Sequence, residues 1–425
     1  MTISLLTGLL LALKAPDSLI QPQFWAEDGA IFFAQQWAGR QPPFFEPYAG
    51  YLHFLPRLTA WWPGSLPAAL QPLAFNVSAL VLETVLLTYC AMRLGNGRLM
   101  VSLWCILAFM LVPQAGDVFG TITNVQWFAQ FAMVVATLRL AQDQEAAPRP
   151  THGRFAEYLM FVLCGLTGPF SMLWLGSIAL VGLAIAARGW MTGAAPVRLP
   201  WLRPEFLVLL LVCALCQLLA MATSPIGTPE QESQMSPDLL AKLGLLNHDR
   251  HPYVAIVNMP GRAHHLGLLA VYGVLAATLL PAACRLRATG NLQGLAVLTF
   301  GACQPLAAYV KQQAAHTLAT PSHYFLMLGA ALIWLGGMKA ARLFHQQAIL
   351  NLGAACVFAL AYLKFPDYFR RAPLAMLGWP RTAAQLETLS GACQLVALNP
   401  LPWHALIPPK HVGMDCKRAT VLTAR

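Results

Sequence analysis

Long apolar runs recur along nearly the whole chain, and they constrain it more than any other feature. A soluble domain buries a few such runs and surrounds them with charge. Inside hydrocarbon, each backbone N–H and C=O has to be paired within its own segment or barrel, so long apolar runs read as helices. Alternating ten-residue strand patterns are absent, which excludes a membrane β-barrel. Only 10% of the residues are charged, against about 25% in soluble domains, and the mean hydropathy is +0.57. The expected fold class is therefore all-α, a polytopic integral membrane protein with about ten or eleven transmembrane helices.

Spans are expected near 2–13, 68–91, 99–113, 125–140, 155–167, 171–187, 205–222, 264–282, 291–309, 323–338 and 347–363. Several fall short of the roughly 20 residues needed to cross. The pair 155–167 and 171–187, interrupted by Gly168-Pro169, reads as a candidate re-entrant hairpin. The chain divides into a transmembrane unit over 1–363 and a small outward C-terminal region over 364–425.

The net charge of +10 is spread thinly, with no arginine-rich arm, so nucleic acid is not an expected partner. Topology explains the cations better. Arg93 and Arg98, then Arg139, Arg149 and Arg154, then Arg188, Arg198 and Arg203, then Arg285 and Arg287, then Lys339 and Arg342 occupy alternate connections. By the positive-inside rule those connections are cytoplasmic. Residues 14–65, 114–124, 223–263, 311–322 and the tail from 364 then face outward. Residues 2–13 lack a positive n-region and a small-residue cleavage site, so they read as a retained first span with a cytoplasmic N-terminus. Cys90, Cys105, Cys164, Cys213 and Cys216 lie in apolar spans and read as packing residues. Cys393 and Cys416, in the outward tail, can pair in an oxidising compartment.

The loop 14–65 is too long for a mere connection. It holds Trp25-Ala26-Glu27-Asp28-Gly29, helical patterning over 29–38, and Tyr48 to Arg57. Glu27 and Asp28 lie among Trp25, Phe32 and Phe33, where a carboxylate partly screened from water can act as a base. The same acids also read as a helix N-cap (Asp28) and a dipole partner (Glu27). Arg57 presents a planar fork suited to phosphate, or a snorkelling interfacial cation. Lys311, His316, His323 and Tyr324 cluster at the outer ends of two spans, at headgroup depth. Asp117, Asn124, Gln126 and Trp127 offer a carboxylate, two amides and an aromatic plane suited to a sugar, or an interfacial belt with polar caps. Glu83 lies within a span and reads as a protonated group bonded to a neighbouring helix. The loop 223–263, rich in proline, reads as an acceptor-binding lid. His264-His265 cannot face one ligand from a helix, and no metal or cofactor is expected.

An acid pair in the first outward loop, followed by a short interfacial helix, resembles the GT-C superfamily of membrane glycosyltransferases. More narrowly, Ala26-Glu27-Asp28-Gly29 followed by Tyr48, Leu52, Pro56 and Arg57 is similar to bacterial members of that class. The resemblance implies an enzyme in the bacterial inner membrane. Its donor is a polyprenyl-phosphate-linked sugar and its acceptor a lipid-linked or cell-envelope glycan, met at the periplasmic face among membrane lipids. One acid of the pair is the base, with Asp28 the first choice, and Arg57 and Lys311 hold the phosphate. The chain departs from the pattern in lacking a strong second acid pair and in having few outward cations. Two other classes fit the same topology: a transporter or flippase of lipid-linked sugars, and a non-catalytic assembly subunit.

Overall fold

A computed structural model describes residues 2–39, 44–112, 118–140, 143, 151–193, 202–224, 289–311, 326–344, 346–364, 374–388, 393–400 and 403–410. The expected span 264–282, nearly all of the loop 223–263, and Asp117, His316, His323 and Tyr324 lie outside the described residues, as does the side chain of Lys311.

The described chain is mostly helical. Its main elements are α1 (Thr2–Lys14), α2 (Phe54–Trp61), α3 (Gln71–Gly95), α4 (Leu99–Met110), α5 (Gln126–Thr137), α6 (Thr151–Gly165) and α7 (Phe170–Thr192). After these come α8 (Pro204–Thr223), α9 (Thr289–Lys311), α10 (Leu326–Phe344), α11 (Gln347–Lys364) and the short α12 (Trp379–Thr388). Two short strands, β1 (Gln394–Ala397) and β2 (His404–Ile407), form an antiparallel hairpin near the end. Every expected span within the described residues is a helix. Ala68–Gly95, Phe170–Met191 and Pro204–Thr223 are long and apolar enough to cross a membrane, and α1, α4 and parts of α9, α10 and α11 are shorter apolar helices.

Around an apolar core, large hydrophobic side chains are also exposed in rows along several helices. Leu5, Leu9 and Leu13 on α1, and Val77, Val81 and Val85 on α3, are exposed at four-residue spacing, which places each set on one helical face. Leu211, Leu215, Leu218 and Leu219 repeat the pattern on α8. Polar groups go inward: Asn76, Glu83, Gln130, Gln217 and Gln304 are all buried. Interhelical hydrogen bonds join some of these groups. Gln304 Nε2 donates to Gln130 Oε1 between α9 and α5. Asn351 Nδ2 donates to the Met100 carbonyl at 2.8 Å, tying α11 to α4.

The helices define two ends. At one end lie the loop between α1 and α3, the turn 166–170 and the C-terminal region. At the other, Arg203 N–H donates to the Thr137 carbonyl at 2.9 Å where α5 ends and α8 begins. Helix α6 runs between the two ends, from Glu157 at the Arg203 end to Thr167, which bridges His53. Residues 155–187 thus hold two helices, the 15-residue α6 and the 23-residue α7, of which α7 is long and apolar enough to cross a membrane.

Arg93 and Arg203 are likewise not simple loop cations. Arg93 pairs with Asp143 through two bonds of 2.7 and 2.9 Å, and Arg203 NH1 donates to Glu157 Oε1 at 3.0 Å. Tyr89 Oη donates to the same Glu157 oxygen at 2.7 Å. This buried ionic cluster locks α3, α6 and α8 together at the end opposite the first loop.

Candidate functional site

The site is built on the loop between α1 and α3. The helix expected over 29–38 forms, but Asp28–Phe33 is a π-helix that continues into Ala34–Trp37. Single π turns inside helices are rare and occur often at functional sites. Phe24, Phe33, Phe75 and Trp379 clamp this segment: the Phe24 ring centroid lies 4.8 Å from Phe33, 5.0 Å from Phe75 and 4.7 Å from Trp379.

Asp28 is fully buried. It does not cap its own helix. Ile122 N–H donates to its Oδ2 at 3.0 Å, Thr123 N–H donates to its Oδ1 at 2.9 Å, and the Thr123 hydroxyl donates to Oδ1 as well. Thr123–Val125 is a 3-10 turn running straight into α5. Asp28 is therefore an N-terminal cap supplied from a distant part of the chain, satisfying the orphan donors of α5 and its dipole. Glu27, on the preceding position, is half-buried.

The expected amide and aromatic group forms beside it. Asn124 Nδ2 donates to Thr121 Oγ1 at 2.9 Å, and Trp127 Nε1 donates to Asn124 Oδ1 at 3.1 Å. The Trp127 ring meets Phe170 edge-on at 5.1 Å. Gln126 is 6% exposed, and its Oε1 accepts no hydrogen bond among the described residues. A Cβ at Gly168, whose φ is +77°, would lie 2.7 Å from that oxygen, so glycine is what allows the turn to approach.

Arg57 reaches the same region through the Tyr48-to-Arg57 segment, whose spacing now has a structural reason. Tyr48 and Tyr51 close a tight turn over Ala49 and Gly50, both at positive φ. Leu52 N–H donates to Gln217 Oε1 at 2.8 Å, and Gly168 N–H donates to the Leu52 carbonyl at 2.9 Å. Pro56 sits in the first turn of α2, where a missing N–H costs nothing. Arg57 follows, 3% exposed, its guanidinium 5.7 Å from the Phe32 ring centroid and its Nη1 donating to Gln35 Oε1 at 2.6 Å. Its Nε–H is buried with no partner, and it forms no ion pair, among the described residues. Burial lowers its pKa from the ordinary value, with the charge of Glu46 opposing that shift.

Asp28, Arg57, Asn124, Gln126 and Trp127 are thus brought to one region of the fold, with Glu27 alongside. Sequence reasoning missed His53, which is buried and stacked on Tyr51 at 4.6 Å, and Thr123, the main partner of Asp28. A threonine directly before an apolar helical run is a capping signal that pointed to Thr123. Glu83 does not meet a neighbouring helix through the bond the structure shows. Gly120 N–H, in the inserted segment 118–122, donates to its Oε1 at 2.9 Å.

The C-terminal region lies over the first loop. Ala26 N–H donates to the Asn399 carbonyl, Trp379 Nε1 donates to the Ala68 carbonyl at 2.9 Å, and Lys410 lies 4.9 Å from the Trp37 ring centroid. Cys393, at the foot of β1, is in a disulfide whose partner lies outside the described residues. Comparison with protein-family models, with curated proteins and with solved structures finds no match.

Proposed function

We propose that this chain is a polytopic inner-membrane glycosyltransferase of the GT-C type, moving a sugar from a polyprenyl-phosphate donor to a lipid-linked or cell-envelope glycan at the periplasmic face. Arg57 carries the reading. A buried guanidinium with an unbonded Nε–H and no salt bridge among the described residues, acted on only through space by the exposed Glu46, favours an anionic ligand, and its fork matches phosphate. The buried Gln126 carbonyl oxygen, also without a partner among those residues, suits a sugar hydroxyl.

In this scheme Glu27 takes the proton of the acceptor hydroxyl. The acceptor oxygen attacks the anomeric carbon while the bond from that carbon to the phosphate oxygen breaks, with inversion. The lipid phosphate leaves with the electron pair, and Arg57 stabilises its charge, a role the sequence also offers to Lys311, His323 and Tyr324. Asp28 is committed to the start of α5, so Glu27 replaces it as the favoured base.

Two observations support the outward orientation of the Asp28 end. Disulfides persist in oxidising compartments, and Cys393 lies at that end. Arg98, Arg139 and Arg154 flank helix ends at the other. Reporter fusions at Gly50 and Pro400 are expected outside and fusions at Arg98 and Arg154 in the cytoplasm; a cytoplasmic Gly50 overturns the reading. A flippase is the second reading, favoured by Lys14 and by Glu83 at the midpoint of α3, both fully buried. The glycan profile of a deletion strain separates the two. An enzyme leaves a glycan lacking one sugar, whereas a flippase leaves the completed lipid-linked precursor stranded inside.

A further inference from the structure

A cavity lies at the opposite end of the bundle from Asp28. It has a volume of about 350 Å³ and is lined by α3, α4, α5, α9 and α10. That is within the roughly 300–1,000 Å³ range of small-molecule sites. Its walls are apolar, with Leu87, Phe109, Phe131, Val135, Val297 and Trp334 among them. Along α3 it runs from Arg93 to Leu87, a depth of about 9 Å at 1.5 Å per residue.

The charged groups of the lining stand at one end, the mouth, where α3 ends at Gly95 and α4 begins at Leu99. There Arg93 is already neutralised by Asp143. Arg98 is exposed and forms no ion pair among the described residues. Asn96 and Gln293 line the same mouth. The arrangement is amphiphilic and polarised, with an apolar slot below and, at its mouth among helix ends, an exposed guanidinium with no ion pair among the described residues.

We propose that this cavity holds an anionic phospholipid of the surrounding bilayer. One acyl chain lies between α3, α5 and α10, and the phosphate rests against Arg98. The occupant spans five helices and so ties α9 and α10 to α3 through a fluid but retained contact. A zwitterionic lipid also presents a phosphate, but its own headgroup cation offsets that charge and is repelled by Arg98, which is why the commitment is to a headgroup of net negative charge. The inference rests on the chain residing in a bilayer and not on sugar transfer, so a protein with no transferase activity can still satisfy it.

The test uses the full chain, delipidated in neutral detergent micelles, with phosphatidylglycerol or phosphatidylcholine of the same acyl composition added. Native mass spectrometry counts the lipid retained. The parent is expected to keep one phosphatidylglycerol per chain in preference to phosphatidylcholine. One arginine near an anionic headgroup is worth about 1 kcal/mol, or about fivefold, so Arg98→Gln should reduce the preference by about that factor. Gly294→Leu should reduce retention of both lipids, because it builds into the slot. A Cβ there meets only Leu335 methyls, at 3.7 and 3.9 Å, so the variant is expected to fold. Arg381→Gln, an exposed cation outside the cavity, should behave as the parent. Equal retention of the two lipids by the parent overturns the proposal. So does an unchanged preference in Arg98→Gln, or an undiminished adduct in a Gly294→Leu protein that melts with the parent.

Discussion

Replacing Asp28 with asparagine separates the two roles that an acid pair can play. In the structure both carboxylate oxygens accept, from Ile122 N–H at 3.0 Å and from Thr123 N–H at 2.9 Å together with the Thr123 hydroxyl. Asparagine keeps the shape but offers a single acceptor oxygen. Its NH₂ then faces either Ile122 N–H or the Thr123 donors, a donor against a donor in a fully buried place. A hydrogen bond to a charged group is worth about 1.5–3 kcal/mol, and a stranded buried N–H costs about 1–3 kcal/mol. A lost cap costs about 0.5–2 kcal/mol. These terms describe overlapping contacts and do not add fully, so the expected loss is about 2–4 kcal/mol. Thermal melts of the detergent-solubilised full chain should show Asp28→Asn several degrees below the parent. Glu27→Gln should melt with the parent and lose about 10²–10⁴-fold in sugar transfer, the usual cost of a missing general base. An Asp28→Asn protein as stable as the parent refutes the capping role. Full transfer by Glu27→Gln refutes the base.

Three other perturbations read separate parts of the fold. Gly168→Ala puts a left-handed residue and a Cβ 2.7 Å from Gln126 Oε1, and should cost about 1–3 kcal/mol, read as a lower melting temperature. Burial alone would raise the Asp143 carboxyl, but bonds from Arg93 and from Leu140 N–H, with the charges of Arg93 and Arg203, hold it below its ordinary value. Its stabilising contribution is then present above the unfolded value of about 3.9 and is lost as pH falls through the lower folded value. The melting-temperature gap between the parent and Asp143→Asn should accordingly be open at pH 7 and close below about pH 3.9. Cys393→Ser should lower the melting temperature in oxidising buffer, and a reductant should bring the parent down to meet it while leaving the variant unmoved.

The sequence by itself determined what depends on local pattern. Apolar runs at helical length placed the helices, because a buried backbone group left unpaired is costly and a helix pairs each one within its own segment. The length and aromatic acids of the loop 14–65 marked it as the busiest segment. Tertiary structure decided what depends on contacts between distant residues. No periodicity relates Asp28 to Thr123, which lies 95 positions further along. That pairing arises only because the segment 118–125 is sunk into the bundle beside α3. Nor does any local pattern separate Arg93 and Arg203, buried against Asp143 and Glu157, from Arg98, which stands exposed at a cavity mouth. A charged residue near a helix end looks the same in sequence either way. Its partner, and hence the cost of its burial, is set by which helices the bundle brings alongside it.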